Sequence, residues 1–215
     1  DLGSGSGSVY LFTRSGGVWS QSTKIKASDG TSGHGFGKIV VFDGDSVVVS
    51  SFHSKPGAYV FVRGDDEGWV EQQKLLPTVA LEGGDFYGWD LAVSGDTVVV
   101  AAVGDDDLGS AAGAAYVFMR SGGVWTEQQK LTASDGFSSD SFGGSVALNG
   151  NTLSVGAHHN DDLGNQSGSA YIFVRSNGVW TEQKKITPSD GAGFDNFGQE
   201  LVLSDGKVYV GSRND

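Results

Sequence analysis

Residues 106–130, DDLGSAAGAAYVFMRSGGVWTEQQK, return almost letter for letter at 161–185 as DDLGNQSGSAYIFVRSNGVWTEQKK. A third copy, DLGSGSGSVYLFTRSGGVWSQST, occupies 1–23, and a worn copy, KPGAYVFVRGDDEGWVEQQKL, runs over 55–75. A unit copied four times restricts the fold more than any other feature of the chain. Each copy is one supersecondary unit that cannot bury its apolar face alone and must stack on its neighbours.

The copies keep a common frame. Tyr10, Tyr59, Tyr116 and Tyr171 recur every 49 to 57 residues, followed by Trp19, Trp69, Trp125 and Trp180. An aromatic-Gly pair recurs at Phe36-Gly37, Tyr87-Gly88, Phe142-Gly143 and Phe197-Gly198. Within a unit four short apolar or alternating runs read as strands, as at 144–148, 97–101, 115–120 and 124–131. No stretch carries a sustained 3.6-residue apolar period, so almost no helix is expected. Asp43-Gly44-Asp45, Ser94-Gly95-Asp96, Asn149-Gly150-Asn151 and Ser204-Asp205-Gly206 read as tight hairpin turns between the first two strands of each unit. The remaining loops are longer and acidic. In an up-and-down sheet they emerge together at the edge opposite the tight turns, where binding residues usually sit.

Four-stranded units at a fixed period predict an all-β fold, a β-propeller of antiparallel blades in one domain spanning residues 1–215. The blades fall at 38–75, 89–131 and 144–186, with a fourth divided between 199–215 and 8–25. Joining the chain ends would place the next Tyr 54 residues after Tyr171, within the period of the array. The same complementary ends also suit self-association between copies.

With 14 Lys+Arg against 26 Asp+Glu, the net charge of −12 argues against nucleic acid as a partner, and no apolar run is long enough for membrane insertion. The 35 glycines recur beside apolar runs, which is turn chemistry and not disorder. Cysteine is absent, which excludes disulfides and thiolate metal sites.

The run F-G-x-S-V-A-L-x-G-x-T-x-x-V-G-A at 142–157, followed by D-D-x-G and by G-S-A-Y-I-F at 168–173, resembles FG-GAP repeats, the blades of the integrin α-subunit propeller. The resemblance covers all four units. It implies an extracellular or cell-surface module for adhesion, matrix or assembly contacts, without catalysis. One departure limits it: the family's calcium loop D-x-[DN]-x-D-G lies between the first two strands, where this chain has only Ser94-Gly95-Asp96 and its equivalents. The family's calcium sites are therefore not carried over.

The other acidic loops offer a separate cation set. Asp105, Asp106 and Asp107, with Asn160, Asp161 and Asp162 and the junction Asn214, Asp215 and Asp1, supply the hard oxygens that Ca2+ takes. The same residues also suit turn capping, and the alternating D-x-D-x-D spacing is missing. The recurring Trp and Arg positions read as scaffold. Departures from the repeat read as ligand contacts: Asp85, Phe86, Tyr87 and Trp89, with Phe52 and His53 expected in the same blade and on the same face, suit a protein side chain or a glycan. Asn165-Gln166-Ser167 is an N-glycosylation sequon on an expected loop. No nucleophile–base pair, metal triad or phosphate loop appears, so no enzyme is expected.

Overall fold

The computed structural model describes residues 2–51, 53, 55–64 and 68–215, and the sequence-predicted contacts at Asp1 and Phe52 lie outside them. Among the described residues there are sixteen strands and no helix. The chain divides into two compact units, 1–76 and 77–215. The first unit holds β1 (Val9–Ser15), β2 (Val18–Ile25), β3 (Val40–Asp43), β4 (Ser46–Ser51), β5 (Gly57–Arg63) and β6 (Trp69–Leu75). The second holds β7 (Tyr87–Ser94), β8 (Thr97–Ala102), β9 (Ala114–Ser121), β10 (Val124–Leu131), β11 (Phe142–Asn149), β12 (Thr152–Ala157), β13 (Ser169–Ser176), β14 (Val179–Ile186), β15 (Glu200–Ser204) and β16 (Lys207–Gly211).

The strands β3–β6, β7–β10 and β11–β14 form three four-stranded antiparallel meanders, one per repeat. The remaining strands form two separate two-stranded sheets, β15–β16 in the second unit and β1–β2 in the first. The four-stranded meanders are β-propeller blades.

The repeated sequence recurs as repeated geometry. In every copy the pairing of the third and fourth strands slips by one residue at the same place, next to Phe12, Phe61, Phe118 and Phe173. Such a bulge increases the local twist. In blade two the extra residue is Gln128, whose side chain accepts from the Trp180 indole at 3.2 Å and donates to the Gly178 carbonyl at 2.6 Å. Gln129 adds a reciprocal pair with the Trp180 backbone.

The aromatic-Gly signature has a direct cause. Phe36 and Phe142 are buried, and each is joined to the segment before the third strand of a neighbouring repeat by a parallel bridge, Gly7 to Phe36 and Gly113 to Phe142; Gly168 to Phe197 repeats it. The bridging glycines have φ of 82°, 90° and 84°, a conformation that strongly favours glycine. A Cβ at Gly113 or Gly168 would run into the facing Phe142 or Phe197 carbonyl, so the backbones approach too closely for any side chain.

In the second unit, Phe142, Tyr171, Phe173 and Trp180 pack with Leu131, Leu153 and Val155 into one core spanning blades two and three. In the first unit the equivalent core is Ile25, Phe36, Val47, Val49, Tyr59 and Phe61. The Trp wedge expected in every copy holds at Trp125 and Trp180, both 2 % exposed, but Trp19 on the β1–β2 sheet is 65 % exposed. A wedge needs two sheets; the one at Trp180 is built from β14 and β10.

Candidate functional site

The long loops of the second unit take part in half-buried polar clusters, and these clusters decide which loop residues remain available. In blade three the Tyr171 hydroxyl donates to Asp135 at 2.8 Å, and Lys185 reaches the same carboxylate at 2.8 Å and also pairs with Asp162. Blade one of the first unit repeats the arrangement, with Tyr59 2.8 Å and Lys74 3.0 Å from Asp29. Burial raises the Tyr59 and Tyr171 phenols, and the hydrogen bonds to carboxylate raise them further. Burial alone would raise Asp29 and Asp135, but the bonds from tyrosine and lysine outweigh it and hold both below the ordinary carboxylate range. The Asp of the Ser-Asp-Gly triplet is thus a scaffold residue.

Blade two breaks the pattern. Thr78-Val79-Ala80 replaces Ser-Asp-Gly, and Asp105 of the acidic loop takes over, 5 % exposed and accepting from Tyr116 at 2.8 Å. Lys130 meets Asp105 at 2.8 Å and Asp107 at 2.6 Å. Burial would lower the Lys130 ammonium, yet these two carboxylates raise it well above its usual value. Beside this cluster is a cleft of about 470 Å³ lined by Val79, Ala80, Glu82, Asp85, Asp106, Tyr116 and Lys130.

Of the oxygens read from the sequence as a cation set, those of Asp105 to Asp107 and Asn160 to Asp162 meet protein donors. Asp106 caps the Ala111 amide at 2.7 Å, and Asp161 caps that of Gln166 at 2.7 Å. Asn160 is buried and bonded to Ser169 at 2.8 Å and to Asp140 at 3.2 Å. Asn214 donates to the Phe194 carbonyl at 2.8 Å, while Asp215 is exposed. Among the described residues no group of three or more His, Cys, Asp or Glu is placed to hold a metal ion.

The aromatic ligand set divides. Tyr87 is 1 % exposed, and burial raises its phenol well above its usual value; it is the counterpart of Phe142 and belongs to the core. Asp85 is 8 % exposed and accepts from the Glu82 amide at 2.7 Å. Trp89 donates to the Gly144 carbonyl at 3.2 Å and packs edge-on against Phe86. The structure thus places Tyr87 and Asp85 inside the blade and leaves Trp89 partly buried. Phe86 alone of the set within the second unit faces solvent, at 49 % exposed; His53, in the first unit, is exposed. Sequence reasoning missed the exposed apolar residues Phe137 at 72 % and Phe194 at 57 %. Their signal was their absence from the other copies.

The two adjacent histidines have a consequence for stability. Their rings are 4.1 Å apart, with Ser141 3.1 Å from His159. Burial first, and then His159, lowers His158 to about 4; burial lowers His159 too, against the pull of Asp161. The unfolded histidines protonate near pH 6.5 while folded His158 resists until about pH 4, so the unfolded state binds more protons and stability falls as pH drops through that window. Asp29 and Asp135 add their losses only below the ordinary carboxylate range, and Asp140, raised by burial, acts in the opposite sense. Denaturant titrations from pH 7 to 4.5 should lose about 1–2 kcal/mol in a His158-dependent manner, after allowance for solvent screening. His158→Val, which installs the residue blade two carries as Val103, should flatten that loss. An unchanged profile would remove His158 from the account.

No curated protein matches the chain. A solved structure, a S. cerevisiae dbp5 variant bound to nup159, a gle1 variant, IP6 and ADP, is similar at 12 % identity, covering 78 % of this chain and 51 % of that one, with a TM-score of 0.30. The chain thus spans about half of that relative's length, and a likeness this low carries no argument. The model of the FG-GAP repeat matches four times, at residues 19–61, 69–118, 125–173 and 180–215, each match beginning on a recurring Trp. With the four-stranded blades, the buried aromatic-Gly pairs and these matches over nearly the whole sequence, the chain belongs to the FG-GAP repeat family.

Proposed function

We propose that this chain is a non-catalytic extracellular or cell-surface interaction module, and that the long loops of its second unit dock a protein partner in adhesion, matrix or assembly contacts. The observation that carries the reading is the composition of those loops. Phe86 and Phe137 expose about half or more of their surface, Leu108 and Leu163 are 43 % exposed, and the same loops carry the exposed carboxylates of Asp106, Asp107, Asp161 and Asp162. Exposed aromatics on charged loops suit a protein contact, and the acidic surround favours a basic partner. FG-GAP repeats are often interaction modules, which supports the same reading.

A second reading, a lectin-like propeller aided by Ca2+, draws on the 470 Å³ cleft beside Glu82 and Asp106. Surface plasmon resonance against a panel of basic and matrix proteins, run beside a glycan array with and without chelator, separates the two. A protein ligand should lose tenfold or more in affinity with Phe86→Ser/Phe137→Ser, since buried aromatic anchors carry most interface energy. Glycan binding abolished by chelator, with no protein ligand, would overturn the first reading in favour of the second.

A further inference from the structure

Three repeats tie the acidic loop to the following long loop by the same backbone hydrogen bond: Gly33 to the Ser4 carbonyl at 2.8 Å, Ser139 to Ser110 at 2.7 Å, and Phe194 to Asn165 at 2.7 Å. The donor residue has a left-handed backbone each time, with φ of 73° at Gly33, Ser139 and Phe194. Glycine, or a small residue, fits that conformation; a bulky aromatic does so only at a cost. Phe194 recovers little of the cost within the chain, because its side chain stays 57 % exposed. A strained backbone held by surrounding bonds while its apolar side chain stays exposed points to a functional contact. Its bonded partner changed too. Where the other copies have Ser4 and Ser110, this one has Asn165, exposed and heading the Asn165-Gln166-Ser167 sequon. The turn is held on its other side by Asn214, 2.8 Å from the Phe194 carbonyl, and by Asn196, 3.3 Å from the Gln166 carbonyl.

We propose that Asn165 carries an N-linked glycan and that Phe194 is the seat for its first sugars; the inference rests on the extracellular reading above. The Asn165 side-chain nitrogen bonds the anomeric carbon of a lipid-linked oligosaccharide, losing one proton as the lipid pyrophosphate leaves. The apolar face of the linked sugar then covers the exposed ring, as apolar surfaces do on an aromatic face. The glycan shields apolar surface at this corner of the long loops.

The test is secretion of the full chain from eukaryotic cells as wild type, Asn165→Gln, Phe194→Gly and the double variant. Intact mass should show a glycan on the wild type and on Phe194→Gly, and none on the two Asn165→Gln proteins. Asn165→Gln should lower Tm by roughly 2–4 °C when Phe194 is present and by less than about 1 °C in the Phe194→Gly background. A wild type secreted without a glycan at Asn165, or an equal Tm loss in both backgrounds, overturns the proposal. Both readouts use the chain without a partner, so their failure is separate from failure of the docking reading.

Discussion

Gly168→Ala is expected to destabilise the second unit by about 4 kcal/mol or more, enough to broaden or abolish its cooperative melting. Two separate effects add at this residue. Its φ of 84° is one that side chains rarely adopt, and an added Cβ would fall against the Phe197 carbonyl, carbon and nitrogen. Backbone cannot rotate away as a side chain can, so relief requires parting the Gly168–Phe197 bridge, which joins blade three to the loop before β15. Gly150→Ala is the control. Gly150 has a φ of 57° but nothing within 4 Å, so only the conformational cost of about 1–2 kcal/mol applies. Thermal melts of the two variants, followed by near-ultraviolet circular dichroism, measure the difference. Equal losses would show that the bridge contributes nothing beyond backbone strain.

Phe142→Ala should cost about 3–5 kcal/mol, the range for removing a large aromatic from a packed core. Phe142 is 0 % exposed and meets Tyr171 and Phe173 edge-on at centroid distances of 5.4 and 6.0 Å. It sits in the core shared by Leu131, Leu153, Val155 and Trp180, so the cavity would open between blades two and three. Collapse is resisted because the β7–β10 and β11–β14 sheets are each fixed by their own ladders. Urea titration of the variant should show a lower midpoint with an unchanged slope, the sign of lost stability in an unaltered fold.

The blades were legible because their determinants are local. Gly and Asn at the hairpins, strand-length apolar runs and a constant period act over a few residues, and the Gly44, Gly95 and Gly150 turns appear where they were expected. What was not legible depends on partners far apart in sequence. Asp29 and Asp135 find Tyr59 and Tyr171 at separations of 30 and 36 residues, and only the fold brings them together. The same gap bears on blade two. Asp85, Tyr87 and Trp89 depart from the repeat and so suggested a ligand, yet Tyr87 occupies the frame position of Phe142, and that position points inward in both blades. The repeat frame held that signal and composition did not. Conversely, Phe137 and Phe194 belong to no recurring motif, and it is their exposure and the left-handed backbone of Phe194 that set them apart.

The central claim is a division of labour: the aromatic-Gly frame holds neighbouring blades together, while aromatics on the long loops face outward and contribute little to stability. Two phenylalanines five residues apart test it directly, Phe142 at 0 % and Phe137 at 72 % exposed. Urea titrations of Phe142→Ala and Phe137→Ala, run side by side with the wild type, isolate the difference. The account predicts a loss of about 3–5 kcal/mol for the first and a change within about 0.5 kcal/mol for the second. Comparable losses in both variants would contradict it.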